Sequence, residues 1–201
     1  MGHKNSDLDS FGASLGVAKI ATAYGKKTNI IVDFDSIEEK TKQVALTIKN
    51  DPRYAGMIIN ANETLDIITK NTLLVVVDNH KPKLALAPIL LERVKNKVII
   101  DHHRRGEEFI EAPVLTYLEP AASSTVELLV ELCEYQNVNL DSNELDATIM
   151  YAGMLVDTNY FKQRVGVRTF QSAAVLKDWQ ANVLSRLKRD RVIRKWEKGK
   201  S

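Results

Sequence analysis

Residues 72–77 read Thr-Leu-Leu-Val-Val-Val, and no other stretch narrows the choice of fold as far. An unbroken apolar run, as opposed to an alternating one, suits a strand covered on both faces, the condition of strands in a parallel sheet. A second such run, Val98-Ile99-Ile100, is short and β-branched with Asn96 and Lys97 before it, and Lys97 to Ile100 reads as another buried strand. Both runs end on polar residues: Asp78-Asn79-His80 after the first, Asp101-His102-His103 after the second. Ligands of parallel α/β sheets bind beyond the carboxyl ends of the strands, which is where these side chains fall.

The remaining elements alternate in the same sense. Residues 1–13 suggest a loop feeding a helix that carries Leu15, Ala18, Ile20 and Ala21 and ends near Gly25. Such a loop normally leaves a strand, so a missing upstream strand is expected. Residues 28–34 read as a strand, and Ser36 with Glu38 and Glu39 opens a helix to about Lys49. A short strand over 56–60, a helix capped by Asn62 through Thr69, and a helix over 88–94 follow. Residues 114–118 form a further strand, and Ser123-Ser124-Thr125 opens a helix to about Gln136. Ser142 caps a helix ending at Val156, Thr169 caps one running through Trp179, and a basic helix starts near Val183. The expectation is an α/β fold, a parallel sheet with helices on both faces, with its domain over residues 1–182 and a helical linker over 183–201.

Composition narrows the function more than the fold. The 201 residues are 44% hydrophobic and 27% charged, as in an ordinary globular chain. Net charge is +2, yet residues 186–200 hold eight Lys/Arg against Asp190 and Glu197. The rest therefore carries a net −4, which argues against a track for long nucleic acid. The single cysteine, Cys133, excludes an internal disulfide framework and reads as a buried, inert thiol. No apolar run approaches the ~20 residues of a membrane span, and no signal peptide precedes the domain.

His3, Asp7, Asp9, Asp78, His102 and Asp157 fall at strand and helix ends. Each alone has a plain explanation: a cap for Asp7 or Asp9, a turn for Asp78, the trace of a tag for His3. Jointly they suit divalent metal. Hard carboxylates mixed with imidazoles favour Mn²⁺ or a similar ion over the thiolate sets of structural zinc. Four carboxylates and two imidazoles suffice for two ions sharing a bridging carboxylate, an arrangement suited to phosphoester hydrolysis.

Met-Gly-His-Lys-Asn-Ser-Asp-Leu-Asp-Ser-Phe-Gly-Ala (1–13), Val-Val-Asp-Asn-His (76–80), Ile-Asp-His-His-Arg-Arg-Gly (100–106) and Val-Asp-Thr-Asn-Tyr-Phe (156–161) resemble, in order, the four motifs of the DHH phosphoesterase superfamily. Asp-His-His-Arg-Arg-Gly-Glu-Glu-Phe-Ile, Glu-Pro-Ala-Ala-Ser-Ser-Thr and Val-Arg-Thr-Phe-Gln-Ser-Ala-Ala are similar to the branch of membrane-anchored bacterial cyclic-di-AMP phosphodiesterases.

That resemblance implies one Mn²⁺ on His3, Asp7 and Asp78 and another on Asp9, Asp78, His102 and Asp157, bridged by Asp78. It implies a positioning role for Asp101, a place for His103 near the scissile phosphate, and phosphate contacts for Arg104, Arg105 and Ser124. The expected reaction opens cyclic di-AMP to linear pApA. Hydrolysis of short oligoribonucleotides, or nucleotide sensing without hydrolysis, stays open beside it. The branch also implies a cytoplasmic domain in a membrane-anchored protein. It implies a second, DHH-associated domain that grips the nucleotide and is not contained in these residues, and it leaves a homodimer open.

Overall fold

A computed structural model of the chain describes residues 1–136 and 144–181. Among the described residues five short strands are all paired in parallel: β1 (Ile30–Ile31) with β2 (Ile58–Ile59), and β4 (Asn96–Asp101) between β3 (Leu73–Val77) and β5 (Leu115–Leu118). Seven α-helices among the same residues precede, connect or follow them: α1 (Leu8–Ala23), α2 (Glu39–Asn50), α3 (Ala61–Ile67), α4 (Pro88–Arg93), α5 (Thr125–Glu134), α6 (Glu144–Asp157) and α7 (Val167–Asp178).

The period of two along a strand divides the core. Val75, Val77, Val98 and Ile100 pack with Leu128, Leu129, Met150, Met154 and Leu176, from α5, α6 and α7. Leu74, Val76 and Ile99 turn the other way, onto Leu90, Val94 and Ile110. Helices and loops thus cover both faces, as the continuous apolar runs require. A third cluster joins α1, α2 and α6 to β1 and β2 through Phe11, Leu15, Ile48 and Ile149. Burial almost all round α1 follows from its place between these clusters. Gly153 of α6 lets it approach closely, since a Cβ there would stand 2.6 Å from the Leu8 carbonyl oxygen and 3.0 Å from Asp9 Cα.

Several local expectations shift. The strand over 28–34 contracts to two residues. Asn60, not Asn62, caps α3, and Glu63 returns the bond to the Asn60 amide, a capping box. Thr169 lies in the third position of α7, where its hydroxyl accepts from the Gly166 amide. Ser142, the helix from Val183 and the boundary at 182 fall outside the described residues. Met1 bridges β3 in the parallel sense, its amine donating to Val75 O (2.9 Å) and its carbonyl accepting from Val77 N (3.0 Å). Alongside runs a cleft of about 560 Å³ between β1 and β3, lined among others by Val17, Ile31 and Val75. No helix among the described residues is long and apolar enough to cross a membrane.

Candidate metal centre

The site lies where β3 and β4 end and where α1, α5 and α6 meet them. Asp78 leaves β3 with φ +58°, a left-handed turn that aspartate tolerates better than most residues. Its two oxygens face different ways: Oδ2 is 3.3 Å from His3 Nε2, and Oδ1 is 3.5 Å from His102 Nε2. Asp7, the N-cap of α1, brings Oδ1 to 3.9 Å from His3 Nε2. On the other side, His102 Nε2 stands 3.2 Å from Asp157 Oδ2 and 3.9 Å from Asp9 Oδ2. His3, Asp7 and Asp78 form one cluster whose donor atoms lie within 4.8 Å of one another, and Asp9, His102 and Asp157 form a second. All six residues singled out as ligands are brought together, with Asp78 between the two groups.

The imidazoles are held in the form a cation needs. A carbonyl oxygen can only accept, so His3 donates from Nδ1 to Lys4 O (2.6 Å) and His102 from Nδ1 to Ala122 O (3.3 Å). Each Nε2 is then the nitrogen aimed at the carboxylates, and it offers a lone pair to a cation once its proton has left. His102 Nε2 is buried without a hydrogen-bond partner, an orphaned atom of the kind that marks an ion position.

Electrostatics favour the same occupant. Burial pushes the Asp9 carboxyl well above its ordinary range, and the charges of Asp78 and Asp157 push it further. Burial also raises Asp78, against the pull of His3. For His3, burial works downward, but the bonds to Asp7 and Asp78 outweigh it and lift the imidazole to about 10. Protons therefore gather where divalent cations would neutralise the carboxylates instead. Oxygen and imidazole donors, an unpartnered buried nitrogen and excess negative charge together fit hard divalent metal.

Asp101 is fully buried and stands behind the cluster. Its Oδ1 accepts from the His103 amide (3.1 Å) and from His103 Nδ1 (2.7 Å), and its Oδ2 accepts from His80 Nδ1 (2.5 Å). Burial raises the carboxyl, yet these bonds win and hold it at about 2. His103 is half exposed, with Nδ1 3.7 Å from Asp78 Oδ1, at the rim where substrate would enter. Arg104 and Arg105 follow on the exposed loop. Ser124 is fully buried, and its hydroxyl accepts from the Glu127 amide as the N-cap of α5.

A model of the DHH family's N-terminal domain matches residues 1–154. The chain belongs to the DHH family. Over 177 residues this DHH chain is 44% identical to the cyclic-di-AMP phosphodiesterase GdpP of Bacillus subtilis, covering 88% of its own length and 27% of the relative's. It is 40% identical over 184 residues to the cyclic-di-AMP phosphodiesterase PdeA of Listeria monocytogenes, covering 92% and 28%. The chain thus spans about a quarter of the length of these relatives. An exopolyphosphatase-related protein from Bacteroides fragilis superposes with a TM-score of 0.68 at 23% identity, covering 96% of this chain and 54% of that one; that likeness shows the fold.

Val126 and Glu127 of the DHH site went unread in the sequence, and Thr125 entered only as part of a helix start. Thr125 donates its hydroxyl to Asp78 Oδ1 (2.9 Å). The amides of Thr125 and Val126 donate to Asp9 Oδ2 and Oδ1 (2.7 and 2.9 Å). The anion at the start of α5 is therefore Asp9 itself, delivered from 116 residues away. Glu127, 2% exposed, gathers the Ser123 amide (3.2 Å), the Ser123 hydroxyl and the Thr169 hydroxyl (2.7 Å). Its spacing from Ser124 carries the signature of a capping box, but a sequence does not show that the carboxylate serves Ser123 and α7 instead.

Proposed function

We propose that residues 1–182 form the catalytic domain of a Mn²⁺-dependent phosphodiesterase that opens cyclic di-AMP to linear pApA, followed by a basic linker over 183–201. The observation that carries the reading is Asp78, with one oxygen in each of two ligand clusters. The names of the relatives at 44% and 40% identity supply the substrate. In this reading His3, Asp7 and Asp78 hold one ion and Asp9, Asp78, His102 and Asp157 the other. Bound there, the ions supply Lewis acidity, which polarises a phosphoryl oxygen and acidifies an attacking water.

The remaining work falls to the chain. Water's oxygen bonds phosphorus and gives up a proton, the ester bond to the 3′ oxygen breaks, and that oxygen takes up a proton in turn. His103, raised in basicity chiefly by its bond to Asp101, donates a hydrogen bond at the reacting phosphate and relays that proton. Asp101 fixes the ring for it. Arg104 and Arg105 pair with phosphate oxygens, which guanidinium groups do in bidentate fashion. In the parent protein the domain works in the cytoplasm beneath a membrane anchor, and a second domain adds grip on the nucleotide. The quarter-length coverage of the relatives supports a longer parent; the anchor, the cytoplasmic placement and the second domain's role rest on the resemblance of the motifs.

The test is turnover. The metal-free 201-residue chain is incubated with Mn²⁺ and cyclic di-AMP, the products are chromatographed, and Asp78→Ala runs beside it; pApA and short oligoribonucleotides serve as rival substrates. Formation of pApA, lost in the variant, is expected. Hydrolysis of the rivals alone overturns the substrate, and turnover that survives Asp78→Ala overturns the bridge.

A further inference from the structure

His80 lies outside both ligand clusters, and the reaction above does not use it. It is nevertheless 1% exposed, and both of its ring nitrogens are committed. The Asp101 carboxylate only accepts, so Nδ1 is the donor to it. The Gly106 amide only donates, so Nε2 is its acceptor, at 3.3 Å. The two partners together fix one neutral tautomer. The backbone joins in, with the Ile110 amide donating to the His80 carbonyl at 2.9 Å. Phe109 stacks on the imidazole at 5.3 Å between centroids, with 27° between planes. The Arg105 guanidinium lies over the Phe109 ring, its central carbon 4.6 Å from the ring centroid.

Buried carboxylate, imidazole, phenyl ring and guanidinium thus form one chain of contacts, from fully buried Asp101 to exposed Arg105. A guanidinium held by its face keeps its N–H edge free, and that edge binds phosphate. Among the described residues Arg105 has no ion pair that would occupy it. We propose that His80 is a positioning residue. By tying down the loop at Gly106, Phe109 and Ile110, it presents Arg105 to a phosphate of the nucleotide substrate. This rests on the phosphodiesterase reading above.

The test is a double-mutant cycle on the 201-residue chain with Mn²⁺ and cyclic di-AMP, using His80→Asn, Arg105→Ala and the pair. Asparagine keeps a donor for Asp101 at the place of Nδ1 and lacks both the acceptor for Gly106 and the ring beneath Phe109. Each single variant is expected to raise KM about tenfold while kcat falls less than threefold, the scale of one charge-assisted bond. The pair is expected to match Arg105→Ala alone, because His80 acts through that arginine. Amide hydrogen exchange, which needs no turnover, is expected to speed up about tenfold at Gly106 in His80→Asn, with Mn²⁺ affinity retained. Should His80→Asn not fold, Phe109→Leu, at a partly exposed loop position, reads the same KM effect. An unchanged KM in His80→Asn, or a pair whose effects multiply, overturns the inference while leaving pApA formation intact. Loss of Mn²⁺ binding in His80→Asn overturns it too, by placing His80 behind the metals. A wild-type chain without turnover overturns the functional reading, and unchanged exchange at Gly106 then disposes of the clamp as well.

Discussion

Asp78→Asn separates a bridging carboxylate from two independent sites. Asparagine is isosteric, tolerates the left-handed backbone at φ +58°, and keeps an oxygen to accept from Thr125. The substitution therefore removes charge and one donor oxygen without disturbing the turn. Because Asp78 offers Oδ2 to the His3 cluster and Oδ1 to the His102 cluster, both affinities fall together. Loss of residues merely supporting a ligand costs about 10–100-fold, so about 100-fold per site is a lower expectation for a ligand itself. At Mn²⁺ a hundred times the wild-type dissociation constant, each site stabilises the fold by about 2.7 kcal/mol, and a 100-fold weakening leaves about 0.4 kcal/mol. For a domain of this size the difference is about 5–9 °C of Mn²⁺-dependent Tm per site. Without metal the variant melts at or above the wild type, since burial already disfavours the charged Asp78. Calorimetry with Mn²⁺ and paired melting curves read both quantities. One site that binds as in the wild type refutes the bridge.

Mn²⁺ affinity will depend on pH through His3. Its imidazole, lifted to about 10, contributes stability to the metal-free fold that is fully present below about 6.5 and lost as pH rises through about 10. Metal binding must expel that proton, so apparent affinity is expected to climb about tenfold per pH unit between pH 7 and 9; calorimetry showing no proton release sinks the argument. Gly153→Ala places a methyl 2.6 Å from the Leu8 carbonyl oxygen, forcing α6 away from α1 beside Asp9. It is expected to cost about 1–3 kcal/mol in urea denaturation and to weaken Mn²⁺ binding, and a wild-type denaturation midpoint refutes the close contact. Cys133 is buried, and burial pushes its thiol up to about 12. Its labelling by a disulfide reagent at pH 8 is therefore expected to track global unfolding, and rapid labelling of the native chain contradicts that burial.

The strands most legible in the sequence are those buried on both faces. Leu73–Val77 and Asn96–Asp101 stand within a residue of their expected starts and ends, because no other element type suits short β-branched runs between turns. Residues 28–34 also read as a strand, yet only Ile30–Ile31 pair as one. Pairing depends on a neighbour, and β2 offers just two residues in register. The caps of α3 and α7 moved for a related reason: Asn60 and Asn62, or Gly166 and Thr169, are comparable local choices, and tertiary packing selects between them. The convergence of His3, Asp7, Asp9, Asp78, His102 and Asp157 was legible because polar groups at strand and helix ends in an α/β fold meet by topology. Their supports were not. Glu127 sits among Val126, Leu128 and Leu129 like any polar interruption of an apolar helix.

Asp9 shows why such support matters. Fully buried beside Asp78 and Asp157, it would be costly to ionise in an apolar interior. The N-terminus of α5 offsets part of that cost with two amides and the positive end of the helix dipole. Both Asp9 oxygens are thereby oriented before any cation arrives. The arrangement also couples distant segments. Glu127 ties the start of α5 to Thr169 of α7, Thr125 ties it to Asp78, and Gly153 holds α6 against Asp9. The carboxylates that repel one another stand on different elements, Asp9 on α1, Asp78 after β3 and Asp157 at the end of α6, and the packing of those elements keeps the uncompensated charge in place.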